Sequence, residues 1–292
     1  MKKRILALYY SQSGQTQRIA EAFLRPFQRG DGIELFCVAL RPIKAFPFPW
    51  SVWKFFDAMP ESVLMVGCPL DWDAPQVWQR YDLIIIFYQV WFLSPSPPVV
   101  SLVRSKGQLF QGTPVVTVVN ARDKWVCAQR KMAELIDKAG GKLAGHVAVV
   151  PRVSPVTGLV TTLRWLWTGK REPFWWFPEA GLTQAEIDAV ERFGVAVYEA
   201  LSENRLETLG KSLENMKAAP VDIHLLRQEE IGERIFRRWA GWIRGKGDRG
   251  LRRDALLALF MIQLAALIMI SLPISLVIWI GRCFRRLCHG QE

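Results

Sequence analysis

The chain has few of the residues on which hydrolytic and metal sites are usually built. Only three histidines occur, His146, His224 and His289, and none has a partner at metal-ligand spacing. HExxH is absent, which excludes that zinc site, and without GxSxG there is no nucleophile elbow. The five cysteines (Cys37, Cys68, Cys127, Cys283, Cys288) are an odd number with no CxxC pair, so they do not form a disulfide framework. The polar turn at 11–16 contains neither GK[ST] nor GxGxxG, so it is not a Walker loop or a dinucleotide turn. The apolar run behind the basic start MKKR is short and breaks into polar residues; it reads as a first strand, not a secretory segment. No internal repeat or low-complexity tract is evident. No residue stands out as a catalytic acid or base, and His146, within a strand, reads as structural.

What is present is a large apolar fraction. Of 292 residues, 50% are hydrophobic and 22% charged, enough for one α/β domain with an appendage. The formal charge is +11, of which residues 227–292 carry +6. A uniformly basic nucleic-acid binder fits this poorly, so no nucleic-acid partner is expected. The positive charge flanks the greasiest segment instead, which points to a membrane surface.

Arg4–Tyr10 reads as a strand, Ser11–Thr16 as a small polar turn, and Thr16–Leu24 as a helix with Ile19, Ala20, Phe23 and Leu24 on one face. Gly32–Leu40 is a second strand. Asp82–Tyr88 (DLIIIFY) is unbroken and apolar, as expected of a central parallel strand covered on both faces. Thr113–Val119 repeats that character, and His146–Val150 is a fifth candidate. Pro97–Arg104 and Val126–Lys138 have helical spacing, the second stopped by Gly140-Gly141. The pattern predicts a doubly wound α/β domain with a five-stranded parallel sheet and right-handed crossovers. Two stretches interrupt it, the Pro- and aromatic-rich 45–70 and the Trp-rich 152–181, and their aromatics are expected to wall an apolar pocket. Thr183–Asn204 resumes a helix, with Thr183 and Glu186 forming a capping box. The domain is expected to close near residue 205.

Residues 206–253 read as a basic amphipathic linker, with Ile231, Ile235, Trp239, Trp242 and Ile243 on one face of an interfacial helix. Ala255–Gly281 then runs without a formal charge. The expectation is a transmembrane anchor over 254–282, single-pass or a hairpin bent at Pro273, followed by a basic tail, 283–292. That places the protein at the cytoplasmic (inner) membrane, with its domain in the cytoplasm and lipid as a partner.

The turn Ser11-Gln-Ser-Gly-Gln-Thr16 lies between a strand and a helix. Its early amides, the helix dipole and the hydroxyls of Ser11, Ser13 and Thr16 suit a phosphate held by neutral donors. YYSQSGQT resembles the FMN-phosphate loop of the flavodoxin-like family, [ST]-x-[ST]-G-x-[ST], matching at Ser11, Ser13, Gly14 and Thr16 with Gln15 between. Tyr88-Gln-Val-Trp-Phe-Leu-Ser-Pro-Ser-Pro-Pro98 resembles that family's aromatic loop. Asn120-Ala-Arg-Asp-Lys-Trp125 falls where the family places further ring contacts. The resemblance implies FMN held by Ser11, Ser13, Gly14, Gln15 and Thr16. Tyr88, Val90, Trp91, Phe92, Asn120, Arg122 and Trp125 would lie about the ring, with Arg122 steadying reduced flavin or a nicotinamide phosphate.

The start of the chain, the PFPFPW segment with FFDAMPESVL, and TGKRE with its Pro-Glu-Ala-Gly turn resemble more narrowly the bacterial dialkylresorcinol condensing enzyme group. That resemblance, over roughly 1–205, implies an oxidoreductase that aromatises a hydrophobic cyclohexanedione supplied by a ketosynthase partner. Apart from it, NAD(P)H is a candidate electron donor to the flavin. An FMN electron carrier serving a membrane redox partner is the alternative.

Overall fold

A computed structural model describes residues 2–71 and 80–288, with side chains in the last helix described through Met269. Five parallel strands form the sheet: β1 (Lys3–Tyr9), β2 (Ile33–Ala39), β3 (Leu83–Trp91), β4 (Pro114–Asn120) and β5 (Lys142–Val149). Their spatial order is β2-β1-β3-β4-β5. The helices, in chain order, are α1 (Gln15–Arg29), α2 (Pro97–Ser105), α3 (Val126–Lys138), α4 (Pro155–Thr168), α5 (Glu191–Ser202), α6 (Leu209–Asn215), α7 (Ile223–Arg244) and α8 (Leu251–Cys288). Shorter helical pieces connect some of them.

The apolar run at 83–88 forms the middle strand because every one of its side chains is buried, whichever face it takes. Alternation along the sheet sorts these residues into two cores. Ile5, Ala7, Ile85, Phe87 and Val118 face α1 and α5. Leu6, Leu8, Ile84, Ile86 and Tyr88 face α2 and α3. The chain order reverses between β1 and β3, so the loops after β1, β3 and β4 meet at the switch point of the sheet.

The predicted helix over 183–204 is two pieces, Gln184–Asp188 and α5. The capping box of Thr183 and Glu186 opens the first of them. The compact unit does not close at 205 but runs from Met1 to Ala240. Leu209, Leu213 and Ala218 are buried in the same core as β1 and α1, which draws this segment into the domain. Nor does α7 lie free as an interfacial helix. Glu229 on it is 1% exposed and accepts the amides of Val126 and Cys127 at the start of α3, a carboxylate placed on a helix N-terminus. Burial pushes the Glu229 carboxyl above its ordinary range, and those two amides oppose the shift.

The second unit, Gly241–Glu292, holds α8. Among the described residues no helix is long and apolar enough to cross a membrane. This overturns the transmembrane anchor at 254–282 and the placement at the cytoplasmic membrane that depended on it. The described side chains of α8 show why. It opens with Arg252, Arg253 and Asp254, and Arg253, Leu257 and Phe260 are buried while Leu259, Ile262 and Met269 are exposed. Such a helix is two-faced, not apolar all round. It is also unbroken from Leu251 to Cys288, so no hairpin forms at Pro273. The side chains of Cys283 and Cys288, and the tail 289–292, lie outside what is described.

Candidate functional site

The first loop leaves β1 at Tyr9 and enters α1 through Gly14, whose φ of 84° is the left-handed conformation that glycine adopts at little cost. A Cβ there would meet nothing within 4 Å, so glycine serves the backbone conformation and not the space. Ser11 Oγ accepts the Gln17 amide at 3.2 Å, and Gln12 Nε2 donates to the Pro47 carbonyl at 2.8 Å. Among the described residues, the amides of Ser13, Gly14, Gln15 and Thr16 have no protein acceptor, nor does the Ser13 hydroxyl. Unsatisfied first-turn amides with the positive end of the helix dipole make an anion site.

Thr16, next in line, is fully buried and ties the three loops together. Its Oγ1 accepts from Gln89 Nε2 at 3.0 Å and from Asn120 Nδ2 at 3.2 Å. Asn120 Oδ1 in turn accepts from Gln15 Nε2 at 3.1 Å, and Gln15 Oε1 accepts the Leu182 amide at 2.8 Å. Gln89 Oε1 receives the Trp91 indole N–H at 3.2 Å. One hydroxyl therefore connects the ends of β3 and β4 to the start of α1.

The second loop is a tight reversal. Val90 pairs with Pro95 and Trp91 with Ser94, leaving Phe92 and Leu93 as central residues at φ 48° and 61°. Bulky residues avoid that region, and consecutive positive φ values are the signature of a type I′ turn. Neighbours hold the strain in place. The Phe92 ring lies 4.8 Å from Phe55 and 6.1 Å from Phe236 of α7. Lys131 donates to Ser94 Oγ at 2.9 Å and pairs with Glu233 at 3.2 Å. Burial draws the Lys131 amine below its usual value, partly offset by Glu233.

Trp91 sits in an aromatic cluster, with centroids 6.1 Å from Tyr10, 4.9 Å from Phe46 and 5.5 Å from Trp50. Phe46 and Trp50 come from the first insertion. The second reaches the same place: the Trp50 amide donates to Leu166 at 2.7 Å, and Trp165 meets Phe48 at 5.9 Å. Burial raises the Tyr10 phenol well above its ordinary value, so it stays protonated.

Ser11, Ser13, Gly14, Gln15, Thr16, Asn120 and Trp91 are thus brought together. Other expected site residues are placed elsewhere. Tyr88 is fully buried on the α3 side and donates to Gln129 at 2.8 Å. Phe92 turns toward α7, and Val90 is occupied by the reversal. Arg122 grips Asp123 with two hydrogen bonds, at 3.0 and 3.1 Å. Trp125 is buried on the His146 ring, 5.2 Å away, where burial lowers the imidazole. Reasoning from sequence missed Gln89 and Tyr10, and gave Phe46 and Trp50 only as part of the insertion expected to wall a pocket. Gln89 had a visible signal, a polar residue in an otherwise apolar central strand.

No family model matches the chain, and no curated protein matches it. Solved structures do. A flavoprotein from Lactobacillus acidophilus NCFM, in complex with FMN, is 21% identical, covering 51% of this chain and 92% of its own, at a TM-score of 0.40. A flavodoxin, WrbA-like protein from Agrobacterium tumefaciens is 13% identical over 69% of this chain and 99% of its own, at 0.41. Flavodoxin 1 from Bacillus cereus is 10% identical over 66% and 95%, at 0.38. At these scores the neighbours say nothing about the site, and the fold stands on the strand order of this chain itself. The fold is flavodoxin-like.

Proposed function

We propose that this protein binds FMN in the three-loop site and acts as an oxidoreductase on a hydrophobic ring substrate. The observation that carries the reading is the row of unpartnered amides from Ser13 to Thr16 beside the Trp91 cluster, at the switch point of the sheet. The donor set fits the group: neutral N–H and hydroxyl donors for a phosphate, and an aromatic wall for a flat apolar ring. Bound there, FMN supplies the hydride or electron chemistry. The chain's own residues do the rest. Ser13 and the first amides of α1 hold the phosphate, Thr16 with Gln89 and Asn120 fixes the loops, and Trp91, Phe46 and Trp50 exclude water.

Both aromatic insertions converge on this place, which suits a hydrophobic substrate. The sequence resemblance over 1–205 supports aromatisation of a cyclohexanedione as the reaction and a ketosynthase as the partner that delivers it. Aromatisation removes two electrons and two protons from the ring, so it would need an electron acceptor such as a quinone or an oxidised nicotinamide, whereas NAD(P)H would serve as donor for reduction of a quinone substrate. One observation favours an electron carrier instead. Arg122, Asp123 and Lys124 are bound to one another, leaving no free acid or base in the third loop.

The test is the absorption spectrum of the purified full chain before and after adding FMN. Flavin bands with saturable binding are expected, lost in Gly14→Val, because the left-handed φ costs an L-residue roughly 1–2 kcal/mol and rearranges the amides. An unchanged flavin complement in that variant refutes the loop assignment. Turnover of a cyclohexane-1,3-dione with a quinone or NAD(P)+ as acceptor, or of a quinone with NAD(P)H as donor, separates enzyme from carrier.

A further inference from the structure

A second hollow, of about 390 Å³, opens beside the far edge of the sheet. It lies between the last residues of β5, the helical turns from Ala185 to Phe193, and the start of α7. None of its walls comes from the loop at 11–16 or the reversal at 88–95, although Asp123 and Trp125 of the third loop border it. We propose that it binds an amphipathic organic anion, with a hydrocarbon or aryl body and a carboxylate or phosphate head.

The floor of the hollow suits an apolar body. Leu182, Val190, Phe193 and Trp125 line the hollow and are themselves buried. Its volume falls within the roughly 300–1,000 Å³ of small-molecule pockets.

The charges at the rim suit an anionic head. Arg152, Arg192 and Lys217 line the hollow, are exposed, and have no carboxylate partner among the described residues. The Arg192 guanidinium rests over the Phe193 ring at 4.5 Å, which sets it at the lip of the apolar floor. Four carboxylates line the same hollow, and each is already engaged. Glu186 closes the capping box with Thr183 and accepts the Arg152 amide at 2.8 Å. Asp222 accepts the amides of His224 and Leu225 at the start of α7. Asp123 is held by Arg122 and Lys124, and Glu229 by the amides of Val126 and Cys127. The carboxylates have their hydrogen-bond donors within the protein while the three cations have no acidic partner among the described residues, so an anionic head bound by those cations above an apolar floor completes the arrangement. This inference does not depend on FMN.

Isothermal titration of the full chain with decanoate, decyl phosphate and decanol tests it. One-site binding of at least one anion is expected, with decanol at least tenfold weaker; the ratio of the two anions identifies the preferred head. Arg152→Gln with Lys217→Gln should weaken the anion at least tenfold, since both positions are exposed and removing them costs no core. Ala185→Trp, also at an exposed position, should block the hollow. FMN binding should be unchanged in both variants. The proposal is overturned by no saturable anion binding, by decanol binding as tightly as the anions, or by both variants binding like the parent chain.

Discussion

Removing the hydroxyl of Thr16 tests whether the three loops are held as one unit. Thr16→Val keeps the shape of the side chain but takes away the acceptor shared by Gln89 and Asn120. Gln89 is 9% exposed, so its amide is stranded away from water, at a cost of about 2 kcal/mol. Asn120 is half-buried and regains water, which limits its cost to about 0.5 kcal/mol. The added methyl returns no more than about 0.8 kcal/mol. The expected loss is about 2 kcal/mol, read from urea unfolding followed by circular dichroism. Thr16→Ser keeps the hydroxyl and loses only a methyl, about 1 kcal/mol. A double-mutant cycle separates the two effects. Thr16→Val and Gln89→Leu should couple by about 1 kcal/mol or more, whereas Thr16→Ser and Gln89→Leu should be additive. If Thr16→Val lies within about 0.5 kcal/mol of the parent chain, or its cycle shows no coupling, the hydroxyl is not what joins the loops.

Two further outcomes follow from contacts elsewhere in the first unit. A Cβ at Gly194 would fall 2.0 Å from the Phe23 carbonyl oxygen, because α5 crosses α1 there backbone against backbone. Gly194→Ala should therefore cost about 3 kcal/mol in urea unfolding, and a change below about 1 kcal/mol would show that the crossing is looser than described. Burial raises the Asp123 carboxyl, but Arg122 and Lys124 outweigh it and hold the group below its ordinary value. A depressed carboxylate adds stability above the unfolded pKa of about 3.8 and loses it as pH falls through the folded value. Asp123→Asn should thus be less stable by about 1 kcal/mol near neutrality, with the gap closing below about pH 4. A gap that stays constant down to pH 3 would rule out that linkage.

Local order was legible where one residue pattern admits one conformation. The span of α3 and the capping box at Thr183 follow from helical spacing and from a side chain that reaches its own backbone. The polar turn at Ser11–Thr16 carried its chemistry openly, since hydroxyls and glycine between strand and helix leave first-turn amides free. Direction across the sheet was harder to read. Tyr88 and Gln89 are neighbours in sequence, and the aromatic one looked like a ring contact. On a pleated strand adjacent side chains face opposite layers, so Gln89 meets Thr16 while Tyr88 meets Gln129. Trp125, expected beside the ring, packs on His146, which arrives from β5, a pairing that its own neighbours in sequence do not show. Hydropathy at 255–281 likewise gave an apolar content without showing which side of α8 is buried.

The sequence by itself determined the strand-turn-helix opening, the buried middle strand and the hydroxyl-rich bend, all of them short-range consequences of periodicity, capping and backbone freedom. Only the tertiary structure decided that Thr16 joins the ends of two other strands, that the first aromatic insertion packs about Trp91 and the second packs on the first, and that α7 is bound to the start of α3 through Glu229. Those contacts link residues from about forty to more than a hundred positions apart, and no local pattern specifies them. They are chosen by which buried polar groups find partners once the strands have taken their order.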